Sequence, residues 1–251
     1  MSYDDDVHQS PWTRPGFIAA ALVVAIVLVL GIFIATRGNA SNDPTPPPTS
    51  GSEPASSTEP EPEPSQEPGT ESDPSICGLD DVELQGTLTQ APETEWSLIG
   101  TTAAPSVEGA GPGLVEESGL RSCYSRTPEG ALLAAANFMA MSTDPALLRP
   151  MIEQGAVDGP GRDALLDLPD PAGDPAAVRV QVAGFNLLEY DGNTATVDLA
   201  LSVSNGTQGA WAYRLAWEGG DWKLVVRSDG SPATDPTQLP DLTGYIPWAG
   251  V

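Results

Sequence analysis

Hydrophobic and polar positions fall into four successive patterns along the chain. The first is an unbroken apolar run at 17–35, FIAAALVVAIVLVLGIFIA, with neither charge nor proline. At about 1.5 Å rise per residue it nearly spans a hydrocarbon core of about 30 Å, so 17–36 is predicted to be a transmembrane helix. It outruns the apolar core of about 7–15 residues in a cleaved signal peptide, which favours an uncleaved signal anchor. The second pattern is the reverse: between Gly38 and Ser75 there are ten prolines, eight acids and no base. With no large apolar side chain to offset the entropy of ordering, 37–75 is predicted to be a disordered or extended linker.

The third pattern is helical. Thr127 is a good N-cap, Pro128 suits the first helical position and Glu129 lies where the helix dipole favours an acid. ALLAAANFMAM then continues to Met141 with almost no polar face, so this helix is expected to be buried. A second helix start at Asp144-Pro145 leads into ALLRPMIEQG, expected to kink or break near Pro150. A further turn is expected over 162–168.

After Asp174 apolar and polar residues alternate with the period of a strand. Val178, Val180 and Val182 share a face, and a bulge near Ala183-Gly184 would return Phe185 and Leu187 to it. Ala195, Val197, Leu199, Leu201 and Val203 form a second inward row, and Trp211, Tyr213, Leu215 and Trp217 a third. WEGGDWKLV at 217–225 reads as a hairpin closed by a two-residue Gly-Gly loop. That register pairs Glu218 with Asp221, Trp217 with Trp222, Leu215 with Leu224 and Tyr213 with Val226. The predicted class is α+β: helices packed on one face of a curved four-stranded antiparallel sheet, preceded by the transmembrane helix and the linker.

Composition narrows the chemistry. Thirty-five acids against ten bases give a net charge of −25, which argues against nucleic acid as a partner. The only histidine, His8, lies in the N-terminal tail, so the exported part lacks Ser-His-Asp and Cys-His catalysis and most zinc sites. DDVE at 80–83 and DPAGD at 170–174 lack the alternating ligands of an EF-hand, and neither metal nor cofactor is expected. Arg14 and Arg37 bracket the apolar run evenly, so the positive-inside rule does not orient it. The acidic linker and the pair Cys77 and Cys123 suit the outside, where an even cysteine pair reads as a disulfide. The expected layout is a cytoplasmic tail at 1–16, a single-pass anchor at 17–36, the linker at 37–75 and an exported domain at 76–251.

Within that domain the aromatics Tyr190, Tyr213, Trp211, Trp217 and Trp222 are candidates for a pocket or for the core. Asp198 has outward parity, which leaves no acid to work with a tyrosine on the inner face, so no enzyme activity is expected. Glu218 and Asp221 are expected as two exposed acids at a hairpin tip, available to a partner. Helices leading into a four-stranded curved sheet resemble the cystatin-like cone of the nuclear transport factor 2-like superfamily, as used by scaffold proteins of type IV secretion machines. More narrowly, CGL at 77–79, TPEGALLAAANF at 127–138 and GYIPWAG at 244–250 are similar to an uncharacterised family of single-pass membrane proteins. That family is associated with conjugative and mobile elements of high-GC Gram-positive bacteria. The resemblance implies a non-enzymatic scaffold or accessory protein among other envelope proteins. The alternative is a stand-alone domain binding a lipid or cell-wall fragment.

Overall fold

The computed structural model describes residues 75–169 and 179–250. The expected anchor at 17–36, and the linker apart from Ser75, lie outside these residues. Among the described residues no helix is long and apolar enough to cross a membrane.

The domain is mostly β. Two short antiparallel pairs come first, β1 (Glu95–Ile99) with β2 (Thr102–Ser106) and β3 (Leu114–Val115) with β4 (Arg121–Ser122). Three helices follow: α1 (Pro128–Ser142), α2 (Pro145–Gly155) and α3 (Pro160–Leu166). The main sheet holds β5 (Val180–Tyr190), β6 (Thr194–Val203), β7 (Gln208–Glu218), β8 (Asp221–Leu224), β9 (Thr237–Leu239) and β10 (Ile246–Pro247). Its order is β10-β5-β6-β7-β8, with β9 beside the first half of β7.

This overturns the predicted four-stranded sheet with helices on one face. The sheet has six antiparallel strands, because the proline-rich tail returns twice to add β9 and β10. Strands of two or three residues carry no readable alternation, so the sequence pattern passed over them. The helices do not form a common layer either. α1 lies against β5 to β8, whereas α2 meets the sheet at β8 and α3 leans on α2. The β1–β2 pair completes the cover, with β2 against both α1 and β5.

α1 follows its sequence signals. Thr127 Oγ1 accepts the Gly130 N–H at 3.0 Å, and thirteen of the fifteen helical residues are buried. The helix has polar cover at neither face because sheet, β2 and α2 enclose it. Gly130 sits where an added methyl would stand 2.1 Å from the Ser125 carbonyl oxygen. α2 runs unbroken through Pro150, so the expected break is absent. The ring removes the bond to the Ala146 carbonyl, and Ala146 is exposed, so that acceptor is left open to solvent.

In the main sheet the predicted bulge is present: the β5–β6 register shifts between Val182 and Gly184, and again between Leu187 and Glu189. Gly184 is required there, since a Cβ added to it would stand 2.9 Å from the Ile246 carbonyl oxygen on β10. The inward rows close as read, with Val197 opposite Tyr213, Leu199 opposite Trp211 and Ala195 opposite Leu215. Val197, Leu199 and Leu215 are all under 2% exposed. The tail is docked by Trp248, whose ring lies 4.9 Å from Trp96 and 5.6 Å from Phe185. Tyr245 donates to Asp198 Oδ2 at 2.7 Å on the outward side of β6.

Candidate functional site

The β7–β8 hairpin has the expected register. Glu218 faces Asp221, Trp217 faces Trp222 and Leu215 faces Leu224, around Gly219 and Gly220 at φ 62° and 79°. Both turn positions need positive φ, which glycine adopts without a Cβ clash. The expected pairing of Tyr213 with Val226 is absent. β8 ends at Leu224, and Val226 bridges to Pro232 instead.

The two acids of the hairpin part company. Glu218 is exposed, but Asp221 is only 3% exposed, which corrects the expectation of two acids at a free tip. The chain from 121 to 126 crosses over that side of the hairpin. Asp221 Oδ2 accepts the Cys123 N–H at 2.8 Å, and Oδ1 accepts those of Tyr124 at 3.0 Å and Trp222 at 2.9 Å. Cys123 has φ 67°, a left-handed backbone that a non-glycine residue holds only when its surroundings impose it. Here the carboxylate and the Cys77–Cys123 disulfide impose it together, with the two Cα atoms 6.1 Å apart.

The arm from Ile76 to Glu83 is therefore fastened at several points. Ile76 N–H donates to the Gly220 carbonyl at 2.8 Å, and Cys77 is bonded to Cys123. Glu83 N–H donates to the Arg126 carbonyl at 2.8 Å, and Tyr190 Oη donates to the Glu83 carbonyl at 2.5 Å. Arg126 is 4% exposed and ties the arm to the β5–β6 turn. Its Nε donates to the Gly192 carbonyl at 2.8 Å and Nη2 to Asn193 Oδ1 at 2.6 Å, while the guanidinium lies 5.6 Å from the Trp217 ring centroid.

The candidate aromatics are distributed by this arrangement. Trp222, fully buried, contacts Trp217 edge-on at 5.4 Å and Tyr190 at 5.8 Å, and its Nε1 donates to the Ser125 carbonyl at 2.9 Å. Trp211 and Tyr213 form a separate pair at 5.3 Å. None of the five lines either of two cavities in the domain. One is a water-sized space of about 10 Å³ bounded by Arg121, Tyr124, Gln154 and Asp221. The other is an open cleft of about 500 Å³ at the far end of β5 and β6.

Burial governs the ionisable groups. It pushes the Asp221 carboxyl up, against the lowering effect of the Cys123 and Tyr124 amides, and pushes the Tyr124 and Tyr213 phenols up. Burial also raises Tyr190, with the Glu83 charge adding to it. Glu129 is raised by burial and then by Glu83 and Asp81. Among the described residues no group of three or more His, Cys, Asp or Glu side chains is placed to hold a metal ion.

The pH dependence of Asp221 follows from its direction of shift. The folded state holds the Asp221 proton more tightly than the unfolded chain, whose aspartate pKa is about 3.9. Its titration therefore adds stability as pH falls through the folded value and removes it as pH rises. Against Asp221→Asn as a non-titrating reference, wild type should gain relative stability between neutral pH and about pH 4. Urea unfolding of both proteins across that range checks this, and a difference that shrinks on acidification would contradict it.

Residues that sequence reasoning did not single out carry much of the site. Arg121 reaches Asn137 Oδ1 at 3.3 Å and Ser97 Oγ at 2.5 Å, and burial lowers its pKa. Asn137 itself donates to the carbonyls of Pro105 and Leu133, each at 2.9 Å. The available signal was the absence of any base from 38 to 120, which makes Arg121 and Arg126 the first cations after Arg37.

One protein family matches the chain, over residues 55–247, described as a domain of unknown function (DUF8175). No curated protein and no solved structure matches it.

Proposed function

The chain belongs to the DUF8175 family, and on that premise we propose that it is a membrane-tethered, non-enzymatic binding domain working outside the cytoplasm. In this reading 17–36 anchors it and 37–75 holds the folded part away from the bilayer. It serves as a scaffold or accessory subunit of an envelope complex, of the kind used in conjugation or type IV secretion.

The observation that carries the reading is the fastening of the arm where the tether joins the domain. Cys77, two residues beyond Ser75, is bonded to Cys123, and Asp221 grips the Cys123 backbone. Force arriving through the linker is delivered to a covalent bond and a buried carboxylate before it reaches the core. A disulfide in that position suits an oxidising compartment. The aromatics and acids with the most chemistry in them support the same reading, since Asp221, Tyr190, Trp217 and Trp222 all hold chain segments together.

Gentle solubilisation of native membranes, followed by size separation and detection of this chain, tests the proposal. The expected result is migration in a complex much larger than the 26.0 kDa chain. Recovery only as a free monomer would overturn it.

A further inference from the structure

The small space enclosed by α1, α2, β4 and β8 is bordered by Leu120, Arg121, Tyr124, Met141, Met151 and Asp221, among others. It offers about 10 Å³ to the centre of a water-sized sphere. That is about the least that holds one water, and too little for any side chain. Its wall is mostly apolar, yet unsatisfied polar groups gather on it. Among the described residues three buried side-chain nitrogen or oxygen atoms have no hydrogen-bond partner, and two of them, Arg121 Nε and Tyr124 Oη, belong to residues on this wall. Arg121 is 8% exposed and Tyr124 is fully buried.

The surrounding bonds fix these groups in place. Arg121 Nη1 donates to Asn137 Oδ1 at 3.3 Å and Nη2 to Ser97 Oγ at 2.5 Å, which holds the guanidinium and leaves its Nε–H over. Asp221 accepts three amides, and a carboxylate has about four lone-pair sites, so one stays open. Burial raises the Tyr124 pKa, the Asp221 charge adds to that and the Arg121 charge opposes it, so the hydroxyl lies within electrostatic reach of both. A donor left unpaired in the interior costs roughly five- to a hundredfold in the folding equilibrium.

We propose that this space binds one internal water, which accepts from Arg121 Nε–H and Tyr124 Oη–H and donates to the Asp221 carboxylate. Three partners are usual for a buried water, and two donors with one acceptor suit its own two lone pairs and its protons. Asp221 on the same wall disfavours an anion, and the volume excludes a larger guest. The water would bridge the clamp at Asp221 to Arg121 and, through Asn137, to helix α1. This site goes beyond the tethered-domain reading, which neither requires it nor falls with it.

Tyr124→Phe deletes the hydroxyl, keeps the ring and separates the two possibilities by sign. With the water bonded, the variant loses a hydrogen bond, and the unfolding constant of the full chain in detergent micelles should rise about three- to tenfold. In a dry site the hydroxyl is a buried polar group without a partner, so its removal would leave the constant unchanged or lower it. Either of those results would overturn the proposal. A direct reading comes from the full chain carrying ¹³C at its methionine methyls. Met141 and Met151 border the space, whereas Met139 is buried elsewhere on α1 and serves as the reference. The first two methyls should show nuclear Overhauser contacts to a long-lived water, and Met139 none. In Tyr124→Phe those contacts should persist, because Arg121 and Asp221 still hold the water. No contact at either methyl, or its disappearance with the phenol proton, would overturn the proposal.

Discussion

Asp221→Ala is expected to lower the stability of the domain by about 3–5 kcal/mol, while Glu218→Ala, its partner across the hairpin, changes it by less than about 0.5 kcal/mol. The difference lies in what each carboxylate holds. Asp221 is buried and accepts from the amides of Cys123, Tyr124 and Trp222, and the first two have no other acceptor among the described residues. Removing the side chain leaves these donors in the interior without water, at about 1–3 kcal/mol for each. Glu218 stands in solvent and loses nothing comparable. Burial opposes the charged form of Asp221, so part of its favourable hydrogen bonding is already offset, and the expected loss is set by the stranded donors. Denaturant unfolding of the full chain at neutral pH, with the disulfide intact, measures both variants. Hydrogen exchange at the Cys123 and Tyr124 amides gives a local reading, since both should exchange much faster in Asp221→Ala. Equal and small effects for the two acids would mean that the hairpin tip is as open as its sequence suggests.

That contrast shows what a sequence pattern can and cannot carry. The register of Glu218 with Asp221 follows from two glycines and a period of two, both local properties of nine residues. Which acid is buried depends on residues 121–126, about a hundred positions earlier, crossing one side of the hairpin and not the other. No periodicity encodes that crossing. The bulge at Gly184 was legible because a slip in alternation between Val182 and Phe185 requires an extra residue. β9 and β10 were not, because Thr237–Leu239 and Ile246–Pro247 are too short to alternate and owe their pairing to Trp248 and Tyr245 holding the tail. Pro150 misled for a related reason. A proline costs a helix less where the acceptor it orphans is open to solvent, and exposure of Ala146 is a tertiary fact. The aromatics were placed on the correct face by parity, yet parity alone does not separate a pocket from a packed cluster. Arg126 over Trp217 and Trp222 against Tyr190 decide for packing.

Replacing both cysteines, Cys77→Ala with Cys123→Ala, should cost about 4 kcal/mol, from the chain entropy released when a loop with sequence separation 46 is no longer closed. The more informative quantity is its coupling to Asp221. The disulfide and the carboxylate act on the same residue, Cys123, whose backbone at φ 67° relaxes if it is let go. Once the covalent bond is gone, residues 121–124 have more freedom to leave the hairpin, and part of what Asp221 contributes is already lost. The combined variant should therefore lose less than the sum of its parts, by about 1 kcal/mol or more, within the range seen for residues sharing a partner. Unfolding of the wild type, the two partial variants and the combined variant completes the cycle. Strict additivity would show two independent fastenings, with the arm and the hairpin secured separately. A coupling of the expected sign would show one clamp, in which the Cys77–Cys123 bond and the acid beneath it fail together. On the proposed reading of 37–75 as a tether, that joint failure sets the load at which the arm peels from the sheet.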